Sequence, residues 1–284
     1  MNELLGKTVL ITGATNGIGR AAALQLAKQG ATMVIVGRNP AKTAQTVDEI
    51  KAQSGNPLVN GLIADLSSMA DVRRLAAEFS QKYTRLDVLI NNAGGVFASR
   101  KLTVDGYEHT FAFNHLAYFL LTNLLLNQLK ASAPARIVNV SSGVHVGAVI
   151  DFDDLQSQKN YGGNQAYGQS KLANVLFTYA LARRLAGSGV TVNASRPGVV
   201  ATGFGENNGG LLRLVARFLH LFALTPEKGA DTVVYLASSP EVEGITGKYW
   251  YKREPIPSSP VSYDEAAQQR LWEVSAQLTG LVSA

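Results

Sequence analysis

Apolar runs of strand length alternate along this chain with longer stretches in which apolar residues recur every three or four positions. The first pattern suits buried strands and the second suits helices with one face on a core. Their alternation therefore predicts βαβ units around a parallel sheet. Strands are predicted at Thr8–Ile11, Thr32–Val36, Leu58–Ala64, Val88–Ile90, Arg136–Val140 and Thr191–Ala194, with a last one near Tyr249. Helices are predicted at Gly17–Gln29, Pro40–Ser54, Ser68–Tyr83, Asp105–Leu129, Ala166–Ala186 and Pro226–Ser238. No Pro/Gly/Ser-rich linker divides these units and no repeat recurs, so residues 1–284 are read as one domain. Two segments fall outside the alternation. Gly143–Asn164 is read as an insertion, and Thr202–Thr225, which opens on TGFGENNGG, as a substrate lid. Long loops at the carboxyl ends of parallel strands are where such sheets bind ligands.

Composition narrows the chemistry. With 284 residues, 46% of them hydrophobic, the chain can bury a sizeable core. The net charge of +5 is spread along the sequence without a basic run, a modest bias toward anionic ligands that gives no ground for nucleic acid. Cysteine is absent, which excludes disulfides, thiolate ligands and a cysteine nucleophile. The four histidines show no paired-ligand spacing, so no metal site is expected. MNELLGKTVLITG lacks the features of a signal peptide, and a cytoplasmic protein is expected. Leu116–Leu126 is interrupted by Thr122 and Asn123 and falls well short of the roughly 20 residues a membrane span needs, so it reads as a buried helix.

Candidate chemistry concentrates at two places. In TVLITGATNGIGRAAALQLAKQG, a strand meets an amphipathic helix through a loop holding Gly13, Thr15, Asn16, Gly17, Ile18 and Gly19. Glycines let the backbone approach a pyrophosphate closely and aim helix N-terminal amides at it. The second strand ends in VIVGRNPAK, where an NAD site would show an acid accepting from ribose hydroxyls; here Gly37 is followed by Arg38. A guanidinium there can pair with a 2′-phosphate, and the missing carboxylate removes a repulsion; the plainer reading is a solvated arginine. Asp65 and Leu66 close the third strand, where the acid could accept from an adenine amino group or cap the next helix. In LINNAGG, the small residues around Asn92, Ala93 and Gly94 would let the chain pass close to a flat ligand, or simply form a turn.

In AYGQSKLANVLFTYALARRL, Tyr167 and Lys171 are four residues apart and project from one helix face. A phenol titrates near about 10, and a neighbouring ammonium stabilises its phenolate, so Lys171 is expected to ease deprotonation of Tyr167. The strand ARIVNVSSGVH delivers Ser141 and Ser142 at its carboxyl end, as hydroxyl donors to a substrate oxygen or as turn formers. Asn114, polar within FAFNHLAYFLL, is a residue that could hold water or pair with freed backbone groups.

Glycine loop, NNAG, mid-helix Asn, strand-end Ser, YxxxK and PG follow one another in a single order. The sequence resembles the short-chain dehydrogenase/reductase family over essentially its whole length. Through DGYEHTFAFNHLAYFLLTNLLL, RIVNVSSGVH, DFDDLQ and YGQSKLANVLFTYALARRL it is similar to the retinol dehydrogenase-like branch. The resemblance implies a three-layer Rossmann fold with one doubly wound parallel sheet of about seven strands. It also implies hydride transfer between NADP(H) and a carbonyl or alcohol, with a tetrad of Asn114, Ser142, Tyr167 and Lys171. Asn114 would hold a relay water, Ser142 polarise the substrate oxygen, Tyr167 exchange the proton, and Lys171 also contact the nicotinamide ribose.

Ser142 is preferred to Ser141 because the branch uses the second serine. Its 25-residue separation from Tyr167 exceeds the usual family interval and matches the branch's insertion. PGVVAT maps Pro197, Gly198, Val200 and Thr202 onto the segment that fixes the nicotinamide carboxamide. Asn16 departs from the basic residue frequent in NADP-preferring members, which leaves Arg38 as the main support for NADP(H). A small lipophilic aldehyde, ketone or alcohol is the expected substrate, and a homo-oligomer is left open. An NAD(H)-dependent dehydrogenase and a non-catalytic nucleotide-binding sensor are the alternatives.

Overall fold

The computed structural model describes residues 3–198 and 225–281. Its strands are β1 (Thr8–Thr12), β2 (Thr32–Gly37), β3 (Val59–Ile63), β4 (Val88–Asn91), β5 (Ala135–Val140), β6 (Val190–Ser195), β7 (Tyr249–Tyr251) and β8 (Glu254–Ile256). They form one sheet in the order β3-β2-β1-β4-β5-β6-β7-β8. Every pairing from β3 through β7 is parallel, and β8 runs antiparallel on the edge. The fold is thus a Rossmann-type α/β structure whose sheet is mostly parallel, with one strand more than the sequence pattern predicts. Two causes hid β8. It has only three residues, one of them Pro255, and its hairpin turns through positive φ at Lys252 and Arg253, where glycine or asparagine would have signalled the turn.

The helices are α1 (Gly17–Lys28), α2 (Pro40–Ser54), α3 (Met69–Lys82), α4 (His109–Phe111), α5 (Ala117–Ala131), α6 (Gly163–Arg184), α7 (Pro226–Ser238) and α8 (Glu265–Leu278). Alternate strand residues point to opposite faces, so the sheet carries two cores. Leu10, Val34, Leu89 and Ile137 meet Phe79, Phe119 and Leu176 from α3, α5 and α6 on one face. Ile11, Ile35, Ile90 and Val138 meet Leu26, Ile50 and Val233 from α1, α2 and α7 on the other. Burial on both faces explains the unbroken apolar runs TVLIT and TMVIVG.

Three local features depart from the predicted elements. The stretch expected as one helix from Asp105 begins at His109, where the Glu108 carboxylate accepts from the amides of Thr110 (2.7 Å) and Phe111 (2.8 Å). It then widens into a π turn over Ala112–Leu116 before continuing as α5. The helix expected from Ala166 starts three residues earlier, at Gly163, inside the segment read as an insertion. The third is α8, for which no helix was predicted. The Asp264 carboxylate caps it by accepting from Ala266 and Ala267, and Trp272 lies edge-on to Phe119 with centroids 5.0 Å apart. Among the described residues, no helix is long and apolar enough to cross a membrane, and no group of three acidic or histidine side chains could hold a metal ion.

Candidate active site

Strand order reverses direction between β1 and β4, and a cleft of about 540 Å³ opens there at the carboxyl ends of the strands. Ligands of doubly wound sheets bind at this switch point, and the volume suits a small-molecule site. A second cleft of about 520 Å³ lies at the opposite end of the sheet. Two basic groups and one acid on its wall are engaged with the protein, Lys7 with Asp87 at 3.0 Å and Arg136 with the carbonyls of Leu236 (3.2 Å) and Ser239 (2.8 Å).

One wall of the main cleft is the loop from β1 to α1. Gly13 has a φ of +66°, and a Cβ there would lie 2.7 Å from the Ala93 backbone. A Cβ on Gly19 would sit 2.4 Å from the Gly13 carbonyl oxygen. Only glycine lets the loop close this tightly on β4. Asn92 locks the contact, its side-chain amide donating to the carbonyls of Thr12 (2.8 Å) and Gly13 (3.1 Å). Asn16 precedes α1 without capping it through its side chain, and the first turn contains no acidic residue. The amides of that turn, together with Thr15, Gly17 and Ile18, face the cleft as positive ends of a helix dipole.

At the end of β2, a Cβ on Gly37 would come 2.2 Å from Thr43 Oγ1 and 2.5 Å from Thr15 Cγ2. A side chain at this position would have to displace the side chains of Thr43 and Thr15. Arg38 beside it is exposed on the cleft rim and forms no salt bridge with another described residue. Asp65 and Leu66 line the same cleft. The capping role open to Asp65 belongs instead to Ser68, whose hydroxyl accepts from the Asp71 amide, while Asp65 Oδ1 accepts from the Ser67 amide (3.0 Å) and hydroxyl (2.7 Å).

The other wall carries the four polar residues singled out in the sequence. Asn114 lies in the π turn, fully buried, and its side chain is spoken for by Gly95. Oδ1 accepts from the Gly95 amide at 2.9 Å, while Nδ2 donates to the Gly95 carbonyl (3.0 Å) and to Ser170 Oγ (2.9 Å). Widened turns of this kind recur at functional sites, because they re-aim one side chain without ending the helix. Ser141 and Ser142 separate cleanly. Ser141 Oγ donates to the Lys171 carbonyl (2.8 Å), pinning β5 to α6, whereas Ser142 faces the cleft and hydrogen-bonds Tyr167.

Lys171 is buried, donates from Nζ to the Val140 carbonyl at 3.0 Å, and stands 5.6 Å from the centroid of the Tyr167 ring. Gly94 covers this corner, since a Cβ there would lie 3.2 Å from Lys171 Nζ and 3.3 Å from Asn114 Oδ1. Burial pushes the Lys171 ammonium down to about 7. Burial also holds the Tyr167 phenol well above its ordinary value, with the Ser142 hydrogen bond pulling the other way. Burial thus favours the neutral form of both groups, opposite in direction to the eased phenol that the spacing of Tyr167 and Lys171 leads one to expect. Lys171 Nζ and the Tyr167 ring thus share one buried corner of the cleft.

Pro197 and Gly198 line the cleft, while Val200, Thr202 and the expected lid lie outside the described residues. Sequence reasoning missed an aromatic wall. Phe97 and His109 pack with tilted rings whose centroids are 4.3 Å apart, Phe113 stands 6.3 Å from Phe97, and all three line the cleft. Burial lowers the His109 pKa, with Asp65 and Glu108 acting in the opposite sense. The available signal was adjacency: Phe97 follows NNAGG and Phe113 precedes Asn114.

Fold and cleft together define a Rossmann oxidoreductase that uses a nicotinamide dinucleotide. A sequence model of the family described as short chain dehydrogenase matches residues 7–209. Retinol dehydrogenase 13 of Homo sapiens is 44% identical over 282 residues, covering 97% of this chain and 85% of that protein. Polyprenol dehydrogenase of Homo sapiens is 43% identical over 283 residues, covering 97% and 86%. Among solved structures, an uncharacterised protein from Mycobacterium paratuberculosis superposes with a TM-score of 0.78 at 34% identity, covering 97% of this chain and 94% of its own. A short chain dehydrogenase from Burkholderia cenocepacia in complex with NADP gives 0.69 at 27% identity, covering 87% and 96%. The chain belongs to the short-chain dehydrogenase/reductase family, in its retinol dehydrogenase-like branch.

Proposed function

We propose that this chain is an NADP(H)-dependent enzyme that interconverts a lipophilic aldehyde or ketone with its alcohol, Tyr167 exchanging the proton. One observation carries the reading. The hydroxyls of Ser142 and Tyr167 are hydrogen-bonded beside the buried Lys171 ammonium, on the wall of a cleft whose far side is the uncapped N-terminus of α1. That terminus suits a pyrophosphate, which Gly13, Thr15, Asn16, Gly17, Ile18 and Gly19 would hold. Asp65 and Leu66 would flank the adenine. Asn92, Ala93, Gly94, Tyr167, Lys171, Pro197 and Gly198 would enclose the nicotinamide end, with Val200 and Thr202 completing it. The exposed Arg38, next to Gly37 where no acid is present, favours a 2′-phosphate over a bare ribose. The NADP in the Burkholderia cenocepacia complex supports the same choice.

Bound NADPH would supply the hydride. In reduction, Tyr167 gives its hydroxyl proton to the substrate oxygen while Ser142 Oγ donates a hydrogen bond to it; oxidation is the reverse. Donors fixed before the reaction stabilise developing charge without reorganising, the largest contribution such sites make. Lys171 makes the phenolate less costly, and Asn114 holds the Gly95 backbone in place. Retinol and polyprenol, in the names of two relatives, are long apolar isoprenoid alcohols. The apolar sequence LLRLVARFLHLFAL within the 202–225 lid suits a substrate of that class. Residues 1–284 act as one domain in this reading.

The test is a screen of retinal, decanal and acetophenone with NADPH or NADH, followed by absorbance, for wild type and Tyr167→Phe. Tyr167→Phe keeps the ring and removes the proton, so kcat is expected to fall about 10²–10⁴-fold with NADPH still bound. A folded Tyr167→Phe protein of near-normal kcat would remove the assignment.

A further inference from the structure

His145, five residues past the end of β5, is fully buried, and Tyr249 and Ser259 around it are buried too. Its Nδ1 lies 2.8 Å from the Ser142 carbonyl oxygen, and its Nε2 receives the Ser259 amide at 3.0 Å. A carbonyl only accepts and a backbone N–H only donates, so the ring is committed to one neutral tautomer, with its proton on Nδ1. The same carbonyl accepts from the His145 amide (3.3 Å) and the Tyr249 hydroxyl (3.3 Å), and the Tyr249 ring packs on the imidazole at 4.6 Å. Gly143 completes the enclosure, since a Cβ there would lie 2.7 Å from the Arg196 guanidinium. Three donors thus grip the peptide that follows Ser142, while Ser141 is anchored on the other side by its amide to the Ser195 carbonyl (2.8 Å). Among the described residues, the Ser142 hydroxyl itself is held by the weak 3.4 Å bond from the Val144 amide and by Tyr167. Its direction therefore follows from the backbone that His145 fixes.

We propose that His145 is a positioning residue for Ser142: its Nδ1–H orients the Ser142 peptide so that the hydroxyl meets the substrate oxygen and Tyr167. The inference rests on the functional reading above and adds a group that touches neither substrate nor cofactor.

Two substitutions separate positioning from mere bracing. His145→Asn can keep a donor near the Nδ1 position and loses the acceptor for Ser259. His145→Gln can keep an acceptor near Nε2 and loses the donor to Ser142. Turnover is measured with NADPH and the best of retinal, decanal and acetophenone, alongside NADPH affinity. His145→Gln is expected to lower kcat roughly 10- to 100-fold, as small misplacements of reacting groups do, with NADPH affinity kept. His145→Asn should stay within a few-fold of wild type. In a Ser142→Ala background, His145→Gln should cause no further loss, because there is no hydroxyl left to position. Equal losses in both single variants, or an undiminished loss in the Ser142→Ala background, would overturn the assignment. Wild-type turnover of Ser142→Ala would instead overturn the functional reading. Should His145→Gln not fold, Tyr249→Phe replaces it: removal of one donor to the same carbonyl should lower kcat a few-fold, and unchanged kcat would refute the proposal.

Discussion

His115 makes a quantitative prediction about stability. It sits in the π turn next to Asn114, fully buried, with Nδ1 3.2 Å from Asn174 Oδ1 and Nε2 2.9 Å from Ser275 Oγ. Its other neighbours are the rings of Phe111, Phe119 and Phe177, none of which can compensate a charge. Burial pushes its pKa from the ordinary 6.5 down to about 4, with the Asn174 hydrogen bond opposing. Between these values the unfolded chain binds a proton that the folded chain refuses, so stability rises with pH there. The contribution is fully present above about pH 6.5 and drains away as pH falls toward 4. A difference of about 2.5 units corresponds to about 3 kcal/mol in all, of which about 2 kcal/mol is lost between pH 7 and pH 5. The assay is urea unfolding at pH 7, 6 and 5 for wild type and His115→Gln, which keeps a polar side chain and removes the titration. Wild type should lose about 2 kcal/mol more than the variant over that range. Parallel pH dependence in the two proteins would refute the argument.

Two further predictions concern the cleft. Arg38→Asp should lose NADPH affinity roughly 10- to 100-fold, the scale of one charge-assisted hydrogen bond, and NADH affinity much less. Dissociation constants for both cofactors check it, and equal losses would mean that Arg38 does not read the phosphate. Lys171→Met should cut kcat and, unlike Tyr167→Phe, also weaken cofactor binding. Because the Tyr167 phenolate loses a neighbouring cation, residual alcohol oxidation should shift to higher pH, and a pH–rate profile unchanged in shape would contradict that role.

The sequence by itself determined the α/β architecture, because strands buried on both faces must be apolar throughout while helices need only one apolar stripe. It also determined the chemical constellation, since Tyr167 and Lys171 on one helix face and glycines 13, 17 and 19 are local patterns with local physical causes. The tertiary structure decided what depends on contacts between distant segments. Whether Ser141 or Ser142 faces the cleft turns on the Lys171 carbonyl 30 residues away. Thr43 and Thr15 crowd the space a side chain at Gly37 would take, which no reading of VIVGRNPAK reveals. The π turn leaves the apolar periodicity around Asn114 intact, so the pattern reads as ordinary helix although the register slips. His145 looks like a loop residue until the segment around Ser259, more than a hundred residues later, arrives to fix its tautomer. Desolvation is likewise a property of the packed molecule, and it moves Tyr167 and Lys171 in directions that their spacing alone does not predict.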